Sequence, residues 1–308
     1  MRDYFDLSVE SVLLSCFPSG TQVLQVQSYR PDYLPYPMCV RLQMPDDSTQ
    51  RCVVKIDHPS LIEREVQVLR LLAGVGLAVP EVLSEPVPLP SQERTMVILS
   101  VLPGHSLPWC GSTSLAEADL ACRLTLEGVA RLHHLTSRVQ EADAASLLPQ
   151  NTLSAEYAAT IVEAGEWRNI GIFQQAVEAV GGTLGKIATP LVFSNGDYNP
   201  LNFLCDGQAL SGFVDFAGAC FENPHIGFVK FLVWSRDEYG WGTGKKAGLV
   251  ERYLYTRNVS RRTFAPILVL RCLRHLIREV SPADSKDKAA YEHITQLMAE
   301  GVKTIEQE

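Results

Sequence analysis

Two stretches of this chain set short apolar runs against single polar residues, and the polar residues fall where local structure gives them meaning. Cys52-Val53-Val54-Lys55-Ile56 reads as a strand with one lysine inside it. Ser60-Leu61-Ile62-Glu63 follows in the form of a capping box, with Ser60 as N-cap and Glu63 reaching back to it. Ile62, Val66, Leu69 and Leu72 then recur at helical spacing and define a buried face. Glu65 lies on that same face. A carboxylate on the apolar side of a helix needs a partner, and Lys55 is the nearby candidate. A strand lysine more often faces solvent, so it is Glu65 that gives Lys55 its significance.

The second stretch begins with the apolar run Leu191-Val192-Phe193, which delivers Asp197 into a polar loop, Ser194-Asn195-Gly196-Asp197-Tyr198-Asn199-Pro200-Leu201-Asn202. Phe203-Leu204 forms the next run, Asp206-Gly207-Gln208 a tight turn, and Gly212-Phe213-Val214 a third strand with Asp215 at its end. This layout brings Asp197, Asn202 and Asp215 to one edge of a small sheet. Two carboxylates and an amide oxygen suit a hard cation such as Mg²⁺, which commonly shares its oxygen ligands with substrate phosphates. A carboxylate beside such an ion can orient a hydroxyl and accept its proton, so the constellation reads as a phosphoryl-transfer site. The plainer alternative is a hairpin with polar turns, where Asn, Gly and Asp are favoured in any case.

Elsewhere, Met96-Val97-Ile98-Leu99-Ser100-Val101-Leu102 is an apolar strand ending in Pro103-Gly104, by itself no more than a strand and a turn. The spacing predicts one long amphipathic helix over 114–139, opened by the capping box Ser114-Leu115-Ala116-Glu117. His133 on it reads as a hydrogen-bonded core histidine and His134 as exposed. Further helices are predicted at about 154–164, 168–180, 226–237, 246–257, 263–279 and 287–306. Residues 1–102 read as strands with one helix, including a proline-rich loop at Pro86-Val87-Pro88-Leu89-Pro90, and 103–308 as mostly helical.

Composition narrows the class. An apolar share of 46% and a charged share of 20% over 308 residues are those of a globular chain able to bury a sizeable core. No apolar run has the length of a membrane span, and the N-terminus lacks a signal layout, so a cytoplasmic location is expected. The eight cysteines show no Cys-x-x-Cys spacing and read as buried reduced thiols. A net charge of −8 argues against nucleic-acid binding and permits a cationic substrate.

Asn195-Gly196-Asp197 with Asn202 five residues beyond the aspartate, then Asp215 closing the next hairpin, resembles the catalytic and metal loops of the aminoglycoside phosphotransferase and choline kinase family. Lys55 with Glu65, and the strand ending in Leu102-Pro103-Gly104, extend that resemblance over most of the chain. It implies a bilobal, protein-kinase-like α+β fold, with a small β-rich nucleotide-binding lobe over 1–102 and a larger helical lobe over 103–308. It further implies a kinase that phosphorylates a hydroxyl of a small molecule. In that reading Asp197 is the catalytic base, and Asn202 and Asp215 hold Mg²⁺. Lys55, fixed by Glu65, meets the phosphates of ATP, with GTP left open. The Ser100 carbonyl and Leu102 amide meet the adenine edge. Asp237, Glu238 and Trp241 lie where the acceptor pocket is expected, and beside an aromatic ring such acids can hold an amine. An aminoglycoside, a choline-like amine, an amino alcohol or a sugar all remain open as acceptors, as does the oligomeric state.

Three departures accompany the resemblance. Asn195 stands where the family has His, and no glycine occurs between Gln25 and Leu42, where a protein kinase carries its Gly-rich loop. Gly227 stands where an Asp is expected, three residues after Pro224. They keep a regulatory, non-catalytic nucleotide-binding module as a rival. The Gly-free loop and the lack of an activation segment ending in Ala-Pro-Glu disfavour a protein kinase.

Overall fold

A computed structural model describes residues 5, 7–28, 37–90, 93–107, 114–142, 146–187, 189–233, 247–280 and 288–307. The chain divides into two compact units. The first comprises Met1–His105, Ser137–Leu147 and Leu204–Gly218, and the second Ser106–Thr136, Leu148–Phe203 and Ala219–Glu308.

The first unit opens with α1 (Leu7–Ser15), followed by β1 (Gln22–Ser28), β2 (Met38–Gln43), β3 (Thr49–Asp57), α2 (Pro59–Gly74), β4 (Val87–Pro88) and β5 (Thr95–Ser100). The strands form one antiparallel sheet of order β1-β2-β3-β5-β4. Side chains alternate across a strand, so Cys52, Val54 and Ile56 of β3 share one face with Val40, Leu42, Met96 and Ile98, against Val9 and Leu13 of α1. Lys55 is thereby turned to the opposite face, where α2 lies against β3 and β5. The predicted stripe of Ile62, Val66, Leu69 and Leu72 is buried on α2, and Glu65 is buried with it.

The expected capping box at Ser60 does not form. Proline at the first helical position suits its fixed φ and missing N–H, so α2 starts at Pro59 with His58 as N-cap. Ser60 then falls inside the first turn, where its Oγ meets His58 Nδ1 at 2.8 Å.

Beyond β6 (His105–Ser106), the chain builds α3 (Leu115–His134), α4 (Thr136–Glu141), β7 (Gln150–Asn151), α5 (Leu153–Glu163), α6 (Gly171–Gly181) and β8 (Val192–Ser194). β9 (Phe203–Asp206) and β10 (Ala209–Phe213) follow as a hairpin, then β11 (Cys220–Glu222) and α7 (Ile226–Val233). α8 (Leu249–Thr256), α9 (Arg261–Glu279) and α10 (Lys288–Glu306) complete it. The capping box of Ser114 and Glu117 forms as expected. The predicted helix over 114–139 is interrupted at Leu135, because Thr136 Oγ1 donates to the His133 carbonyl (2.6 Å) and accepts the Phe193 amide (3.0 Å). One side chain thus closes α3 and anchors β8.

In the second unit β11 runs parallel to β7 and antiparallel to β8. α9 packs on α10 and also touches α6 and α7. Among the described residues the cysteines are free, all but Cys16 buried, and no helix is long and apolar enough to cross a membrane.

Candidate active site

In the first unit, the alternation of β3 and the apolar stripe of α2 aim Lys55 and Glu65 at each other. Lys55 Nζ lies 2.7 Å from Glu65 Oε2 and 2.9 Å from Oε1. It also lies 2.9 Å from Asp215 Oδ1. Glu65 is 2% exposed, so its charge depends on these partners. Burial alone would push the Lys55 ammonium down, but Glu65 and Asp215 outweigh it and hold it above its ordinary value. Glu65 Oε1 also accepts the Phe216 amide at 3.4 Å, which ties the residue after Asp215 to α2. Asp215 itself has φ +62°, a left-handed backbone that Asp tolerates better than most residues. Its side chain is 49% exposed and open to a ligand.

In the second unit, β8 delivers the polar loop. Asn195 grips the backbone of Asp197 from both sides, its Nδ2 donating to the Asp197 carbonyl (2.8 Å) and its Oδ1 accepting the Asp197 amide (3.2 Å). Asn202 Nδ2 donates to the same carbonyl at 3.1 Å. That leaves Asn202 Oδ1 without a hydrogen bond among the described residues and available to a cation. Ser194 Oγ accepts the Gly196 amide, and Asn199 Oδ1 that of Leu201. The backbone of Asp197 is fixed while its side chain is 43% exposed, the arrangement a base needs to meet a substrate. Among the described residues no three His, Cys, Asp or Glu side chains converge as a metal site.

Residues 44–263 match the model of the APH phosphotransferase enzyme family. The chain belongs to that family. Similar solved structures include a thermostable mutant of aminoglycoside phosphotransferase APH(4)-Ia in a ternary complex with ADP and hygromycin B. It is 14% identical, with a TM-score of 0.67, over 96% of this chain and 98% of that one. ADP-bound aminoglycoside phosphotransferase APH(2'')-Ib is also 14% identical, with a TM-score of 0.54, over 97% and 99%. No curated protein sequence matches. The α+β, protein-kinase-like fold expected from the sequence is the fold of this chain. As an APH-family member it is a kinase-type phosphotransferase of small molecules.

Two departures of this APH-family chain now have physical content. Asn195 supplies the loop brace directly, through the two bonds to Asp197. Gly227 is a packing requirement: a Cβ there would lie 2.1 Å from Cδ2 of Tyr198. The Tyr198 ring occupies that space, held by its hydroxyl on His133 Nε2 (2.8 Å) and by Phe228 at 5.6 Å between centroids. His133 is the hydrogen-bonded core histidine expected. Sequence reasoning missed Lys230, whose Nζ donates to the Gly196 carbonyl at 2.8 Å and lies 3.5 Å from Asp197 Oδ1. Its signal was present, as a single charge in the otherwise apolar Ile226-Gly227-Phe228-Val229-Lys230-Phe231-Leu232-Val233.

Of the remaining expected site residues, Ser100 ends β5 and is tied to Glu81, its amide on the Glu81 carbonyl and its Oγ under the Glu81 amide, both at 2.8 Å. Leu102 packs on Gly212, where a Cβ would come within 2.7 Å of its Cδ1. Among the described residues the Leu102 N–H has no partner. Asp237, Glu238 and Trp241, and the Gly-free loop at 29–36, lie outside the described residues.

Burial, reinforced by Arg257, lowers His133 to about 3 and His225 to about 4. Both are held neutral by the fold, with folded values below the unfolded value of about 6.5. Their contribution is complete above that value and is lost as pH falls from about 6.5 toward 4, at about 1.4 kcal/mol per pH unit for each. Burial pushes the Glu222 carboxyl up, which works in the opposite sense. Thermal unfolding at pH 7.5 and pH 5 is therefore expected to show a lower Tm at pH 5. The difference should shrink when both histidines are replaced by Gln, and an unchanged difference would contradict the assignment.

Proposed function

We propose that this protein transfers the γ-phosphoryl group of ATP, as its Mg²⁺ complex, to a hydroxyl of a small, amine-bearing molecule of the aminoglycoside or amino-alcohol type. The observation that carries this reading is Lys55 held between a buried Glu65 and a half-exposed Asp215. A surface hairpin with polar turns has no use for a part-buried lysine presented in this way. The solved relatives complexed with ADP, one also with hygromycin B, support the choice of nucleotide and acceptor class.

In this reading the adenine edge meets the Ser100 carbonyl and the Leu102 amide. Lys55 neutralises phosphate charge, and Glu65 keeps it aimed. Asp215 and Asn202 supply oxygens to Mg²⁺, which when bound offsets the charge that develops on the transferring group. Asp197 orients the acceptor hydroxyl. As the acceptor oxygen bonds to phosphorus and the bond to the ADP leaving oxygen breaks, the hydroxyl proton passes to the Asp197 carboxylate. The transition state carries little covalent chemistry for the protein, so positioning and electrostatics supply most of the rate.

The test is ADP release from ATP, with and without Mg²⁺, across a panel of aminoglycosides, amino alcohols, choline, homoserine and neutral sugars. Mg²⁺-dependent stimulation by the amine-bearing compounds is expected. Stimulation by neutral sugars alone would overturn the acceptor class. Nucleotide binding with no stimulation by any compound would favour a regulatory module instead.

A further inference from the structure

α7 runs beneath the loop that carries Asp197, and two positions one turn apart on it meet that loop in different ways. Gly227 yields its space to the Tyr198 ring. Lys230 sends its ammonium to the Gly196 carbonyl at 2.8 Å and to Asp197 Oδ1 at 3.5 Å. The Lys230 side chain is only 14% exposed, so the ammonium is committed to the loop. Asp197 Oδ2, by contrast, accepts no hydrogen bond among the described residues. The Asp expected at 227 could only accept hydrogen bonds from loop donors. Here the loop amides of Gly196 and Asp197 are already taken by Ser194 and Asn195, and what α7 offers is a donor.

We propose that Lys230 is a positioning residue for phosphoryl transfer, which pins the loop through the Gly196 carbonyl and holds Asp197 Oδ1. The two oxygens of the base then have separate tasks. Oδ1 is fixed by the cation, and Oδ2 faces the acceptor and takes its proton. The positive charge matters as much as the hydrogen bond, because the Asp197 carboxylate is one of the groups its ammonium meets, and that charge also acts on the buried Glu222 carboxyl. This inference rests on the reading of Asp197 as the base.

The experiment compares Lys230→Met, Lys230→Gln and Lys230→Arg by steady-state kinetics on the acceptor found in the panel, and by amide hydrogen exchange across residues 194–202. For Lys230→Met, kcat is expected to fall about 30-fold, within the range for misplaced catalytic groups, with both KM values within about threefold. Exchange in the loop should rise about tenfold, while the other helices of the second unit stay protected. Lys230→Arg should recover part of both, and Lys230→Gln should recover loop protection but not kcat. A rise in KM with kcat unchanged, full recovery of kcat by Lys230→Gln, or unchanged loop exchange in Lys230→Met would each overturn the proposal. Failure of the kinase reading is separate: wild-type protein would then turn over no panel compound, while the exchange experiment would still report on the Lys230 tether.

Discussion

Asp197→Asn is expected to lower kcat about 10³-fold while leaving the affinity for ATP within about threefold, in line with the usual worth of a positioned general base. The structure makes this substitution clean. The bonds that hold the loop go through the Asp197 amide and carbonyl, to Asn195 and Asn202, and survive any change of side chain. An amide also retains an oxygen to meet the Lys230 ammonium. What it loses is the ability to take the acceptor's proton and to present a negative charge to the hydroxyl. Steady-state turnover with the best panel compound, alongside equilibrium binding of nucleotide, separates the two effects. Undiminished turnover would remove Asp197 from the chemistry, and a parallel loss of nucleotide affinity and turnover would make its role one of binding.

Gly227→Asp, the substitution that restores the residue expected from the family resemblance, should destabilise this protein by about 3 kcal/mol or more. Overpacking a filled site costs about 1–3 kcal/mol, and a buried carboxylate without a prepared partner adds to that. The new Cβ alone would overlap the Tyr198 ring, and the ring has nowhere to go. It is 1% exposed, tethered to His133, and packed against Phe228, which itself stacks on Tyr253 with centroids 3.6 Å apart. Gly227→Ala should suffer most of the overlap without the charge, so its loss of Tm should be smaller than that of the Asp variant but still clear. A Gly227→Asp protein with unchanged or raised Tm would show that Tyr198 does not fill the site as described.

The parts of the site that could be read in the sequence are those encoded locally. Glu65 was visible because a carboxylate interrupts an apolar stripe of helical period. Asp197 and Asn202 were visible because both belong to one loop between two apolar runs, and Asp215 because the next hairpin ends on it. What escaped was encoded by contacts far apart in sequence. Lys230 carries the same kind of signal as Glu65, yet its partner is a backbone carbonyl, and carbonyls leave no trace in a sequence. The Tyr198–Gly227 fit involves an aromatic and a glycine, neither unusual where it stands. Boundaries failed for local reasons that compete with periodicity: Pro59 moved the start of α2, and the side chain of Thr136 ended α3 inside an unbroken amphipathic pattern.

The fit of Tyr198 against Gly227 also bears on how such a chain can drift. A side chain acquired first at 227 collides with the ring. A small residue acquired first at 198 leaves a hole where the ring was, a change that costs about 3–5 kcal/mol when a buried aromatic is truncated to alanine. Either single step descends into a valley, because only a small residue at 198 would open the space that a side chain at 227 needs. Positions 198 and 227 should therefore behave as one inherited character, exchanged together or not at all. Relatives on the two sides of that valley would differ at both sites at once while keeping the aspartate between Gly196 and Tyr198.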